Sequence, residues 1–269
     1  MNRVSMMTRR GMVGAALGSL LAVSAASRPA AGLAADELSI ASWEVLWTQV
    51  LTRVVDEAGR IDFGALERDH QDLNRVVAFI AAVDPVSDPR RLPNRSSRLA
   101  FYINAYNALA MSGIVAAGVP QSLGWLRRVG LFYLQSFAIG GHSISLYDLE
   151  NDVIRPMGEE RVHFVLNCMV VGCPRLPRKA FSADALDRDL DAAARAFVSE
   201  DRNVRVDFSG RQVWLSAIFK FYTEDFLVQA PDLVAYVNQY RVEKIPADFT
   251  VRFLDYDWTV NDRARQSGS

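Results

Sequence analysis

Residues 99–111 read LAFYINAYNALAM. Apolar side chains recur at nearly every position, so neither a one-faced surface helix nor an alternating strand accounts for the run. A helix that is apolar almost all round is enclosed by the rest of the protein. The pattern predicts a central buried helix from Arg98 to about Ala117, capped by Ser96 or Ser97. Asn104 and Asn107 lie three residues apart on one face of it. A buried amide is costly unless its donors and acceptors are paired. The two asparagines therefore either pin neighbouring loops through the backbone or line a site, and the sequence leaves both open.

Working outward, Ile40 to Ala58 carries Trp43, Leu46, Trp47, Val50, Leu51 and Val54 at helical spacing, with Gly59 ending it. Asp62 is a candidate N-cap for a second helix running to about Val83, stopped by Asp84-Pro85. Beyond the central helix, Ser122 to Val129 reads as a short helix. Phe132 to Leu146 reads as a hairpin closed at Gly140-Gly141, and Tyr147 to Met157 as another short helix. Ser182 opens an amphipathic helix. Val204–Phe208 and Gln212–Leu215 alternate as strands, Ser216 caps AIFKFYTEDFLV, Pro231 opens a helix to about Arg241, and Phe249 to Asp257 is strand-like. Residues 262–269 read as a disordered tail. With no repeat and no linker, the expectation is a single α+β domain over residues 35–261, several helices packed on a small, mainly antiparallel sheet.

Before Ala35 the chain reads as an address. Thr8-Arg9-Arg10-Gly11 is a twin-arginine pair followed by a mild Gly/Ala/Leu run, with Gly32-Leu33-Ala34 as a cleavage site. The expectation is a signal peptide over residues 1–34, export to the periplasm, and no stable membrane insertion once the leader is removed. With the four arginines of that segment removed, 26 basic residues face 31 acidic ones, a balance that argues against binding an anionic membrane surface. No Arg/Lys cluster interleaves with aromatics, so nucleic-acid binding is not indicated.

The stretch Arg161 to Leu176, RVHFVLNCMVVGCPRL, holds one of three histidines and both cysteines. Val162 to Cys168 has the look of a strand. On a strand His163 and Asn167 share one face and Cys168 takes the other, so Cys173, beyond the Gly172 turn, is the sulfur expected to return to His163. Pro174 suits the first position of a helical turn, whose amides would favour a thiolate at Cys173. His163-x4-Cys168-x4-Cys173 lacks the tight pairing of a zinc site. No G-x-S-x-G elbow, phosphate loop or dinucleotide fingerprint occurs in the mature chain. No cofactor or metal is expected. Lys220 and Glu224, on the helix that also carries Tyr222 and Asp225, read as a surface ion pair.

Five segments taken together, LAFYINAYNALAM, SLYDLENDVIRP, VHFVLNCMVVGCPRL, LSAIFKFYTEDF and YDWTVN, resemble the DUF547 family of uncharacterised proteins, in that family's order, from about Trp47 to Asn261. The resemblance implies a permuted papain or transglutaminase-type fold. Matched onto this chain it picks out Asn104, Tyr106, Asn107, Glu150, Arg155, His163, Cys168 and Cys173. Where the family often has a histidine two residues after Glu150, this chain has Asp152.

The leading expectation is a thiol hydrolase or transferase acting on amide or thioester bonds. Cys173 is its nucleophile, His163 its base, and Glu150, or else Asn104 or Asn107, the group orienting the imidazole. The alternative is a non-catalytic binding module for a small acidic or thiol-containing ligand or peptide, held by Asn104, Tyr106, Asn107, Arg155 and Cys168. A third is a structural protein with a Cys168–Cys173 bridge.

Overall fold

The computed structural model describes residues 38–266, which fall within one compact unit. The leader expected over residues 1–34 lies outside the described residues. Helix α1 (Ile40–Val54) starts where the Ser39 side chain accepts the Ser42 amide, and it buries Trp43, Leu46, Trp47, Val50, Leu51 and Val54. Trp43 stacks on Phe79, with centroids 5.3 Å apart, and donates its indole N–H to Val76 O. The single helix expected after Asp62 is two, α2 (Phe63–Arg68) and α3 (Gln71–Ala82). Asp69 lies between them in extended backbone, its carboxylate accepting the Gln71 amide, which ends one helix and seeds the next.

The central helix is α4 (Arg95–Ala116). Its cap is Asn94, ahead of the expected Ser96 or Ser97, in a reciprocal capping box with Ser97. Every residue from Leu99 to Met111 is buried. Among the described residues α4 is the one helix long and apolar enough to cross a membrane, but 83% of its apolar window is buried inside the protein, as befits a core helix.

Helix α5 (Trp125–Arg128) runs into a π-helical turn, Val129–Leu134. The hairpin that follows is shorter than expected: β1 (Phe137–Ile139) pairs antiparallel with β2 (His142–Ile144). Gly140 and Gly141, both at positive φ, make the two-residue turn. Their amides donate to Ile80 O and Ala81 O, which fastens the hairpin to the end of α3. Helix α6 (Leu146–Asp148) continues as a π-turn, Leu149–Ile154, and a 3₁₀ turn, Arg155–Met157.

The strand expected over Val162–Cys168 does not form. Glu160–Phe164 is a 3₁₀ turn, and an irregular buried loop follows. Helix α7 (Leu186–Ser199), strands β3 (Val204–Asp207) and β4 (Gln212–Leu215), helices α8 (Ala217–Phe221), α9 (Thr223–Leu227) and α10 (Leu233–Tyr240), and strand β5 (Thr250–Phe253) complete the core. β4 pairs antiparallel with β3 and parallel with β5. The fold is therefore α+β as expected, with two small sheets, one of them mixed. That strand order carries no mark specific to a papain-like topology. Residues 263–266, expected in a disordered tail, form a short helix α11 (Arg263–Gln266), with Arg263 N–H donating to Ile61 O.

Candidate functional site

The loop after Phe164 runs through the protein interior without a sheet ladder, so its backbone groups must be satisfied in another way. Asn107 on α4 does this twice, donating its amide to Val165 O at 3.0 Å and accepting the Asn167 amide at 2.8 Å. Asn167, fully buried, donates to Pro174 O at 2.6 Å and accepts the Met169 amide at 2.7 Å. Met169 itself lies in the left-handed region at φ 65°, which is strained for a residue with a side chain. It is also entirely buried. This reversal folds the chain back so that Cys168 and Cys173 meet, with sulfurs 2.6 Å apart. Gly172 permits the other wall, because a Cβ there would stand 3.0 Å from Asp257 N and from a Tyr256 ring carbon. The Gly172 and Val171 amides donate to Asp257 O and Thr259 O. Tyr256 is thereby laid across both thiols, its hydroxyl 3.2 Å from Cys173 Sγ and 3.4 Å from Cys168 Sγ.

The two cysteines are unequal. Cys173 is buried, and burial by itself raises a thiol pKa. Its sulfur is nevertheless surrounded by donors: the Cys168 thiol, the Tyr256 hydroxyl, and the amides of Val170 and Cys168, the last at 3.0 Å. These outweigh burial and bring Cys173 below the ordinary thiol range. Cys168, half-buried, goes the other way. Its hydrogen bond to Cys173 and its burial raise it well above that range.

Beside the thiols stands a carboxylate held by tyrosines. Glu150, in the π-turn, is buried and accepts hydrogen bonds from Tyr106 O–H at 3.0 Å and from Tyr222 O–H. Burial first, and the Glu150 charge second, raise both phenols well above their usual pKa, so both stay protonated as donors. The Tyr222 ring stacks on His163, centroids 3.8 Å apart and planes 16° from parallel. His163 Nε2 lies 2.7 Å from Asp225 Oδ2, and because a carboxylate only accepts, Nε2 is the donor. Arg155 grips the same carboxylate with two nitrogens, each at 2.8 Å, and gives a third to Asn151 Oδ1 at 2.6 Å. Burial opposes the charge of Asp225, but the bonds from Arg155 and His163 outweigh it and hold the carboxyl well below the usual range.

The expected residues are thus partly assembled. Tyr106, Glu150, His163, Cys168 and Cys173 come together, with Arg155 behind Asp225. Asn104 does not join them. Its amide is spent on Phe181, donating to the carbonyl at 2.7 Å and accepting the N–H at 2.9 Å. Asn107 likewise pins a loop, the first of the two readings open for this pair. The group bonded to His163 is Asp225, where Glu150 or an asparagine was expected. The hydrogen-bond partners of Cys173 Sγ are Cys168, Val170 and Tyr256; no Cys–His bond forms among the described residues. Strand alternation does not set Cys168 apart from His163, because no strand exists there. No helix starts at Pro174 either, so the donors to the sulfur come from the loop and from Tyr256. Among the described residues no cluster of three or more His, Cys, Asp or Glu is arranged to hold a metal ion.

Three members escaped the sequence reading: Tyr222, Asp225 and Tyr256. Tyr222 and Asp225 belong to what read as a solvated helix. In fact α8 ends at Phe221 and α9 begins at Thr223, and the break at Tyr222 (φ −119°, ψ 28°) turns both side chains inward. The signal was available in the stripe Ile218, Phe219, Tyr222, Asp225 and Phe226, which puts a carboxylate on an apolar face. Tyr256 had none.

Fold and site together define an α+β protein with a buried dithiol flanked by a tyrosine-held carboxylate. Residues 89–198 match the family model described as "Protein of unknown function, DUF547". The match spans α4, the hairpin, Glu150, His163 and both cysteines, while Tyr222, Asp225 and Tyr256 lie beyond it. No curated protein and no solved structure matches the chain.

Proposed function

We propose that the protein is a cysteine-dependent hydrolase or transferase acting on amide or thioester bonds, with Cys173 as nucleophile. The observation that carries this reading is the set of donors on Cys173 Sγ, the Cys168 amide at 3.0 Å and the Tyr256 hydroxyl at 3.2 Å, which favour the thiolate. The sulfur attacks the acyl carbon, forming a C–S bond as the carbonyl π pair moves onto oxygen. Collapse of that adduct expels the amine, protonated by Tyr256, or the thiolate of a thioester. Water or an acceptor nucleophile then attacks the acyl-enzyme, losing its proton to Glu150, and Cys173 leaves as the thiolate; the proton on Glu150 passes through solvent to the Tyr256 phenolate, or to the released thiolate of a thioester, which restores the site. His163, fixed by Asp225 and stacked on Tyr222, acts as a positioning residue for the Glu150 array. The Arg9-Arg10 pair and the Gly/Ala/Leu run after it, read as an export leader, favour a place for this chemistry in the cell envelope.

The 2.6 Å sulfur contact favours a second reading, a Cys168–Cys173 bridge that is structural. Both are tested on one sample. Thiol titration of native protein that finds no free thiol, with a mass lower by two hydrogens, supports the bridge. After reduction, iodoacetamide labelling of Cys173 in a Cys168→Ser background is followed from pH 5 to 8. The proposal expects labelling faster than a model thiol near neutral pH, and Tyr256→Phe should shift the labelling profile to higher pH. Labelling no faster than the model thiol throughout overturns it.

A further inference from the structure

Large apolar side chains that stand exposed are scattered singly over most of this surface, but not between Trp125 and Leu134. In that one ten-residue helical segment Trp125 is 67% exposed, Leu126 73%, Tyr133 53% and Leu134 75%. A cluster of this kind marks an interaction surface. The segment is built as a ridge. Leu131 is buried beneath it, Tyr133 stacks on Tyr147 at 4.5 Å, and Arg128 lies 4.3 Å over the Trp258 ring. The segment is therefore anchored by Leu131, Arg128 and the Tyr133 ring, which leaves Trp125, Leu126 and Leu134 outward.

The segment's own charge is one-sided: it contains two arginines, Arg127 and Arg128, and no acidic residue. Arg127 donates to Ser122 O and Arg128 faces Trp258, and among the described residues neither is paired with a carboxylate.

We infer that residues 125–134 dock the protein peripherally on an anionic lipid bilayer. Trp and Tyr are the side chains that favour the headgroup boundary, leucines enter the acyl region, and arginines meet anionic headgroups. Area argues against a second protein as the occupant. Four side chains offer a few hundred Å², short of the roughly 800 Å² per partner of a standard stable interface. The net acidic balance of the mature chain sets the mean field, not the local one, and these attractions act within a Debye length. The ridge reaches the thiol site by contact, through Arg128, Trp258 and Tyr256, whose last two rings lie 4.6 Å apart. The inference stands without the proposed chemistry.

The test uses the full chain and vesicles of phosphatidylglycerol with phosphatidylcholine, some carrying brominated acyl chains that quench nearby indoles. Residues 1–37 contain no tryptophan, so quenching reports the folded unit even where the leader also binds. The expected result is strong quenching that largely disappears in Trp125→Phe, and partitioning at least tenfold weaker in Leu126→Gln/Leu134→Gln and several-fold weaker in Arg127→Gln. Thermal melting should leave all three variants as stable as the parent, because the altered side chains are exposed. Vesicle-bound protein with Trp125 unquenched overturns the inference. So does equal binding to pure phosphatidylcholine, or a self-association in sedimentation that the double variant abolishes.

Discussion

Replacing Asp225 by asparagine removes the charge on which Arg155 and His163 converge while keeping the shape. In the parent, three charge-assisted bonds of 2.7–2.8 Å end on this carboxylate. Asparagine presents one acceptor oxygen and one NH₂ group, so at least one of these donors faces another donor. Breaking a buried ion pair by removing one partner costs about 3–5 kcal/mol. Here Arg155 and Asp225 keep 22% and 25% of their side-chain exposure, and water offsets part of that loss. The expected destabilisation at pH 7 is about 2–4 kcal/mol, a fall in Tm of roughly 4–16 °C for a domain of this size. The pH dependence carries the sign. A carboxyl whose folded pKa lies below its unfolded value stabilises the protein fully above about pH 4, and that stability fades as pH falls toward the folded pKa. Parent and variant should therefore differ most at neutral pH and converge on acidification. Urea unfolding of both proteins at pH 7 and pH 3 measures this. A difference below about 1 kcal/mol at pH 7, or one that does not shrink at pH 3, would refute the network as described.

Two further contrasts follow from the backbone bonds. Asn107→Ala leaves Val165 O and the Asn167 amide buried and unpaired, at about 1–3 kcal/mol each, and loosens the cysteine loop. Asn104→Ala should cost a similar amount through Phe181 yet leave Cys173 alkylation unchanged, so urea melts with labelling rates separate the two. At the hairpin, a Cβ on Gly140 would lie 2.5 Å from Asp84 Cα, whereas at Gly141 it meets open space. Gly140→Ala should thus lower stability by more than ~2 kcal/mol and Gly141→Ala by only ~1, both read by thermal melting.

Helices and turns were legible in the sequence wherever one face alone is apolar or a turn needs glycine. α1, α7 and the Gly140-Gly141 hairpin are of this kind. α4 was legible for the opposite reason, having no polar face to misplace. The loop after His163 was not. A short apolar run such as VHFVLNC suits a strand or any other buried segment, and the deciding groups, the Asn107 and Asn167 amides, act across the fold. The cysteine pair was misjudged for the same reason. Face alternation holds only while the backbone stays extended, and Met169 reverses it. Asp225 was hidden by its neighbours, since Lys220, Glu224 and Asp225 resemble a solvated helix until the break at Tyr222 is known. Asn104 and Asn107 could be named as buried amides needing partners, but not assigned partners.

The position of the polar network explains why charged groups are tolerated so deep. The core is two apolar clusters. One is built on α1 to α4 and the cysteine loop, the other on α7, β3 to β5 and α8 to α10. The 3₁₀ turn at His163 is their seam, with Val162 and Val165 in the first cluster and Phe164 in the second. Tyr256 packs against both. The bonds Glu150–Tyr222 and Arg155–Asp225 each cross that seam. Apolar contact is non-directional and lets two clusters slide, whereas paired hydrogen bonds admit one register. A staple needs only such pairing, and the Arg155–Asp225–His163 set fits that part. The thiols do not. Cys173 belongs to the first cluster and Cys168 packs against it, and what joins them to the seam is the Tyr256 hydroxyl, on a ring that packs against both clusters. The seam therefore has two components, an ion pair that holds the clusters in register and a sulfur site placed where they part.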